Sequence, residues 1–193
     1  MAGEKLRTRS RNSDRAGNTL VGPFRAHLPS TLGKIVELRR VVWRNEPAVI
    51  SADILDPDAA MLHDAYEANA QHWIFTLEES VVAAARLSLS HDEAELPDWD
   101  RFHHLLGDIP RPVAMLSRLV VHPTLRDRGL ARALTDVRIE TARAWGAGSI
   151  VSEAAPERAR QLRELGFDER GQTPSQPWDL APFTLMVLAC QNP

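Results

Sequence analysis

The residues with the clearest chemical capacity are Arg126-Asp127-Arg128-Gly129-Leu130-Ala131. A glycine among arginines at the opening of a helix makes a seat for an anion. Unpaired N–H groups project from the first turn of any helix, and the helix dipole favours negative charge there. Gly129 puts no side chain between that backbone and a phosphate. Arg126, Arg128 and Arg132 add positive charge, and a guanidinium fork suits phosphate oxygens. A helix start with a solvated basic face is the alternative reading. Two elements must position the turn. Ala114 to Val121 is apolar and β-branched toward its end, which predicts a buried strand. Leu130, Leu134, Val137 and Trp145 fall at helical spacing, which predicts a helix packed on a sheet.

Strand, then Arg/Gln-x-x-Gly-x-Gly/Ala, then helix resembles the acyl-CoA pyrophosphate motif of the GNAT-type N-acetyltransferase superfamily. RDRGLA fits it at every defined position. Leu119-Val120-Val121-His122-Pro123 resembles that family's pantetheine-binding strand, and Leu165-Gly166-Phe167 its helix-end LGF. The match is close over residues 114–167. The resemblance implies an α/β (α+β) fold, with a mixed, mainly antiparallel central sheet flanked by helices and splayed at the acyl-CoA site. It implies acetyl-CoA or another acyl-CoA as co-substrate. Arg126, Asp127, Arg128, Gly129, Leu130 and Ala131 would hold the pyrophosphate, and the backbones of Leu119, Val120 and Val121 the pantetheine arm. The implied activity is transfer of an acyl group to an amine by direct attack.

The proton-transfer half of that pattern is altered. The family's usual base positions on the motif strand fall on Met115 and Ser117, and its usual acid, a tyrosine, falls on Leu162. Ala155 stands where an asparagine is usual, and the only tyrosine is Tyr66. Met115 accepts no proton, whereas Ser117 can relay one through water. The candidate catalytic residues are therefore Ser117 and Glu153, with His103, His104 and His122 behind them. A solvated loop carboxylate and a strand-end cap are the plain alternatives for Glu153 and His122. Without an evident base, the site suits an amine of low pKa: a small molecule, an amino acid or an N-terminus. Arg86-Leu87 with Ser117-Arg118 also resembles acyl-homoserine-lactone synthases and N-acyl amino acid synthases, which leaves acyl length open. A non-catalytic acyl-CoA-binding or regulatory domain is the rival reading.

The remaining sequence sets the bounds. A chain of 193 residues with 44% hydrophobic and 25% charged content fits one globular domain, expected over residues 19–193. A net charge of −3 exerts no general pull on nucleic acid, and none is expected as a partner. The single Cys190 can form no internal disulfide, no apolar run suits a membrane, and a cytoplasmic protein is expected. A homodimer is compatible. No metal site is expected, because His103 and His104 are neighbours without a supporting cysteine cluster. Residues 1–18 read as a disordered basic tail, with a nucleic-acid or partner arm as the alternative.

Further elements follow from pattern. Phe24 to Leu28 is expected as a first strand stopped by Pro29. Ser30 or Thr31 should cap a helix carrying Leu32, Ile35, Val36, Leu38 and Val42. Asp56-Pro57 should open a helix running through Met61, Leu62 and Tyr66. Trp73–Leu77 and Val81–Leu89 should pair as a hairpin. Residues 90–112 form a long, acidic, aromatic connection: either a wall for a cationic amine or an insertion with packed apolar anchors, with Phe102 to Leu106 as a short helix. Ser149–Ser152 and Phe183–Ala189 read as strands, and Pro156–Leu165 as a helix.

Overall fold

The computed structural model describes residues 12–13, 17–26, 30–44, 62–92, 95–174 and 181–190. Eight strands form one sheet in the order β1-β2-β3-β4-β5-β6-β8-β7. They are β1 (Asn12–Ser13), β2 (Thr19–Phe24), β3 (Gln71–Leu77), β4 (Ser80–Ser90), β5 (Val113–Val121), β6 (Ser149–Ala154), β7 (Asp168–Gln172) and β8 (Thr184–Ala189). Four helices flank them: α1 (Thr31–Trp43), α2 (Trp99–Leu106), α3 (Leu130–Ala144) and α4 (Pro156–Arg163). Every pairing is antiparallel except β5 with β6.

The inner strands β4, β5 and β8 carry mostly apolar runs because both faces of the sheet are covered there. Ala83, Ala84 and Ala85 of β4 are all buried. Ala84 packs with Leu32, Ile35 and Leu38 of α1, whereas Ala83 and Ala85 pack with Leu130 and Leu134 of α3. A third cluster joins Phe102 and Leu106 of α2 to Val113, Met115, Val151, Leu185 and Val187. Helices α1 and α2 therefore share one face, and α3 and α4 the other. At the β2 edge, Gly22 lies against Trp73: a Cβ there would come within 2.7 Å of the Trp73 ring and the His72 carbonyl.

The hairpin forms as expected. Glu78 and Glu79 both take positive φ (48° and 67°), the two-residue turn that matches strand twist. Strand β8 lies between β6 and β7, inside the sheet. Several expectations are corrected. The first long strand is Thr19–Phe24, not Phe24–Leu28, and Arg25 and Ala26 lie outside it. Asn12–Ser13, placed by sequence in the tail, pairs with β2. Ser30 stands at the α1 N-cap without a capping side-chain hydrogen bond. The helix expected from Asp56-Pro57 begins outside the described residues; its later part is only a short 3-10 turn, Ala65–Ala68, capped by the Asp64 carboxylate on the Tyr66 N–H at 3.0 Å. Trp145 ends α3 at 41% exposure and takes no part in the core. The polar strand β7, Asp-Glu-Arg-Gly-Gln, carries no apolar alternation and gave no sequence signal.

Candidate active site at the strand split

Two features of β5 organise the site. The first is its end of pairing with β6. Only Val113, Ala114 and Met115 pair across, with Ser149, Ile150 and Val151. Beyond them the Ser152 hydroxyl reaches the Leu116 carbonyl at 3.0 Å, and the sheet opens. The second is a bulge. Ala84 opposes Val120 and Arg86 opposes Ser117, so Arg118 and Leu119 together face Ala85 alone. Arg118 takes φ 53° to allow this. The extra residue switches face parity, so Met115, Ser117 and Val120 all lie on the α1/α2 face.

Strand β5 leads into the glycine turn. Asp127 and Gly129 both have positive φ, 60° and 79°. Gly129 is the N-cap of α3, with no capping side chain, and its carbonyl accepts the Ala133 N–H at 2.9 Å. The N–H groups of Leu130, Ala131 and Arg132 therefore precede the first internal helical bond. A Cβ built on Gly129 meets nothing within 4 Å. A side chain at Gly129 would therefore project into open space beside the helix start. That observation fits an acyl-CoA diphosphate: bare amides, a positive dipole end and room for phosphate oxygens. Arg132 is engaged with Asp136 at 2.9 Å on the exposed side of α3.

Behind the bulge stands a residue the sequence reading missed. Arg138 is buried on the inner face of α3. Its Nη1 donates to the carbonyls of Arg86 (3.0 Å) and Ser117 (3.3 Å), and its Nε to that of Leu134 (2.8 Å). Burial and the neighbouring Arg158 charge lower its pKa to about 9. Arg138 thus fastens β4 to β5 at the distorted step. Arg138→Met should orphan two strand carbonyls and destabilise the fold by about 2 kcal/mol. Denaturant unfolding is the check, and an unchanged midpoint would remove this role.

Ser117 is not isolated. Its Oγ accepts Arg86 Nε at 2.9 Å. Arg86 Nη1 donates to Asp64 Oδ1 (2.6 Å) and Glu67 Oε1 (3.1 Å). Arg118 Nη2 donates to Asp64 Oδ2 at 2.8 Å, and its guanidinium lies 5.7 Å from the Trp43 ring centre. Arg39 Nη1 donates to Glu67 Oε1 at 2.6 Å, and His72 Nε2 contacts Glu67 Oε2 at 2.7 Å. An ionised carboxylate only accepts, so His72 carries its proton on Nε2. Burial pushes the Glu67 carboxyl up, but the His72 hydrogen bond and the Arg39 and Arg86 charges outweigh it and hold it well below the usual range. Asp64 is likewise held low: Arg86 and Arg118 overcome its burial. Burial lowers Arg39 to about 10 despite Glu67. A lone arginine inside the apolar run Val81–Leu89 was the sequence signal for this network. Its partners lie too far along the chain to be read.

Glu153 lies across the split, two residues beyond Val151 on the same face. Arg101 of α2 approaches its Oε1 at 3.4 Å, so Glu153 is an ion-paired carboxylate rather than a solvated one. Met115 and Leu162 are both core residues, 2% and 0% exposed. His122 caps the short turn Pro123–Leu125, with Nδ1 2.9 Å from Thr124 Oγ1. His103 stacks on Trp99. The structure brings neither histidine to the Ser117 network through any contact it shows. Residues 95–109 include packed apolar anchors: Leu96, Phe102, Leu106 and Ile109 are buried. Among the described residues no metal-binding group of His, Cys, Asp and Glu occurs, and no helix is long and apolar enough to cross a membrane.

The Acetyltransferase (GNAT) family model matches residues 35–167. The chain belongs to the GNAT acetyltransferase family. Solved structures share the fold of this GNAT chain at low identity. A Corynebacterium glutamicum protein described as histone acetyltransferase HPA2 and related acetyltransferase has TM-score 0.65 and 22% identity, covering 91% of this chain and 98% of that one. FeeM, an N-acyl amino acid synthase from uncultured soil microbes, has TM-score 0.65 and 13% identity, over 89% and 90%. Salmonella typhimurium yncA, solved with its cofactor acetyl-CoA, has TM-score 0.58 and 19% identity, over 89% and 93%. No curated protein matches the sequence. The GNAT family and fold imply acyl-CoA-dependent acyltransferase activity, and the sheet arrangement agrees with the fold expected from sequence.

Proposed function

We propose that the protein transfers an acetyl group from acetyl-CoA to the amine of a small molecule, an amino acid or an N-terminus. The supporting observation is the open, uncapped turn at Gly129 placed at the end of a strand that has left its neighbour. Arg126 to Ala131 would hold the diphosphate, and the backbone of Leu119 to Val121 the pantetheine arm. Bound acyl-CoA supplies an already activated thioester, so no covalent enzyme intermediate is needed. The chain must bring the amine close, donate an N–H from the bulge near Leu119 toward the carbonyl oxygen, and pass one proton. Ser117 and Glu153, on opposite sides of the split, would be the candidates for that proton, Glu153 as acceptor and Ser117 as a relay through water.

The poverty of bases supports an acceptor that is already partly neutral. A lysine-type amine of pKa ~10.4 is neutral in about one molecule in 2,500 at pH 7, whereas an α-amine near ~7.8 is neutral in roughly one in seven. Release of the CoA thiol should be measured at pH 7 with amino acids, N-terminal peptides, small amines and internal-lysine peptides. Turnover should favour the α-amines by tenfold or more. Rapid acetylation of internal lysines with none of α-amines would overturn the acceptor class. Core placement of Met115 and Leu162 favours a second reading, a binding domain without chemistry. Tight acetyl-CoA binding with no turnover across the panel would establish it. The FeeM fold and the joined Arg86–Ser117 pair support including longer acyl-CoAs in the same assay.

A further inference from the structure

Arg158 stands in the first turn of α4, three residues after the uncapped N-cap Ala155, and is partly exposed. Its Nη2 donates to the Thr135 hydroxyl of α3, and its Nη1 to Gln161 Oε1 at 3.0 Å. Both acceptors are neutral. Among the described residues its Nε donates to no protein group, and no carboxylate forms an ion pair with it. The charges that act across space between this residue and its surroundings are those of Arg132, Arg138 and Asp136. Asp136 is itself taken up by Arg132, whose Nε donates to both of its oxygens at 2.9 and 3.0 Å. Burial and the Arg132 charge lower the Arg158 pKa to about 10 against the pull of Asp136, so Arg158 is a cation at neutral pH. Its charge is crowded by two other guanidiniums and held only by uncharged oxygens.

The two lips of the split define where this charge sits. Strand β5 leads into α3 and strand β6 into α4, and the two strands stop pairing after Met115 and Val151. The Arg158–Thr135 bond therefore ties one lip to the other on the face that α3 and α4 share. Thr135 Oγ1 in turn donates to the Ala131 carbonyl at 2.7 Å. Ala131 follows Gly129 by two residues, and its N–H is one of the bare first-turn amides. Two hydrogen bonds in series thus link Arg158 to the opening of α3.

We propose that Arg158 is a cofactor-binding residue supplied from the opposite lip, and that its guanidinium takes a phosphate group of acyl-CoA in exchange for Thr135 Oγ1. This rests on the Gly129 turn as the seat of the cofactor. Phosphate oxygens bear the charge that a hydroxyl and a carboxamide lack, and a guanidinium–phosphate pair is charge-assisted from both sides. CoA offers that chemistry twice, in its diphosphate and in the 3′-phosphate of its ribose. A purely structural tie between α3 and α4 makes a different demand: Arg158 and Thr135 would then matter equally.

The test is calorimetric titration of the full chain with CoA and with dephospho-CoA, which lacks the 3′-phosphate, alongside thermal unfolding of each variant. Arg158→Met removes the charge and keeps a long side chain; it should weaken CoA binding at least tenfold. Arg158→Lys should recover part of that loss. Thr135→Val removes the acceptor at nearly constant volume and should keep CoA affinity within about twofold of wild type. An equal loss for CoA and dephospho-CoA in Arg158→Met assigns the contact to the diphosphate, and a loss confined to CoA assigns it to the 3′-phosphate. Unchanged CoA affinity in Arg158→Met would overturn the role, as would a matching loss in Thr135→Val. Should Arg158→Met not fold, Arg158→Gln takes its place with the same expectations. Wild-type protein that binds no CoA removes the reading of the Gly129 turn and Arg158 with it. Wild-type protein that binds CoA no better than Arg158→Met removes Arg158 alone.

Discussion

Gly129→Val should weaken coenzyme A binding by roughly a hundredfold while the protein remains folded. Gly129 holds φ 79° at the α3 N-cap, and the space a Cβ would enter is empty of protein atoms. Valine therefore acts in two ways. It strains a left-handed position that β-branched residues avoid, and it projects into the open space beside the helix start. Losing two charge-assisted hydrogen bonds, at about 1.5 kcal/mol each, gives a loss near 3 kcal/mol, or about two orders of magnitude in affinity. Gly129→Ala should fall between, because its methyl group is small and its backbone cost is about 1–2 kcal/mol. Calorimetric titration with CoA and thermal unfolding of the free protein separate the two effects. Undiminished CoA affinity in a folded Gly129→Val protein would be fatal to the reading of this turn as the diphosphate seat.

The largest stability effect is expected at Glu67. Its two oxygens receive Arg39, Arg86 and His72, all buried. Glu67→Ala leaves the Arg39 and Arg86 guanidiniums with Asp64 as the one carboxylate bonded to either of them among the described residues. Breaking a buried ion pair from one side costs about 3–5 kcal/mol, or roughly 10 °C in the unfolding temperature of a chain this size. Replacing Arg39 by Met alongside Glu67→Leu should recover part of that loss, since the charge and its partner leave together. The pH dependence has a definite sign. Glu67 and Asp64 are both held below their ordinary pKa when folded. Their contribution is complete above the unfolded carboxylate value, about 4.3, and declines as pH falls below it. Wild-type stability should drop steeply from about pH 5 downward, and Glu67→Gln should flatten that slope. An identical slope in the variant would show that Glu67 does not titrate with folding.

How far the sequence reached differs between the two halves of the site. The strand, glycine turn and helix proposed as the diphosphate seat were legible because their pattern is local: six consecutive residues, a strand before them and a helix after. The paired carboxylates and guanidiniums were not, because Asp64, Arg86 and Ser117 meet only when β4 pairs with β5 and a 3-10 turn folds over them. Arg138 was hidden differently. It occupies a core position of α3 that apolar periodicity assigns to a hydrophobic residue, and the bulged carbonyls it serves are invisible in one dimension. Strand β7 escaped because a short, polar edge strand is specified by its neighbour rather than by its own pattern.

Mechanically, the short seam between β5 and β6 divides the sheet into two plates. Five strands lie on one side and three on the other, joined by the register Val113–Met115 against Ser149–Val151. Each plate is held between two helices, α1 and α3 on the larger and α2 and α4 on the smaller, but the edges beyond the seam diverge like the covers of a half-opened book. An extended ligand threaded into that opening would serve as a splint, taking over the backbone bonds that the missing pairing forgoes. On that reading, filling the opening would also stiffen the sheet.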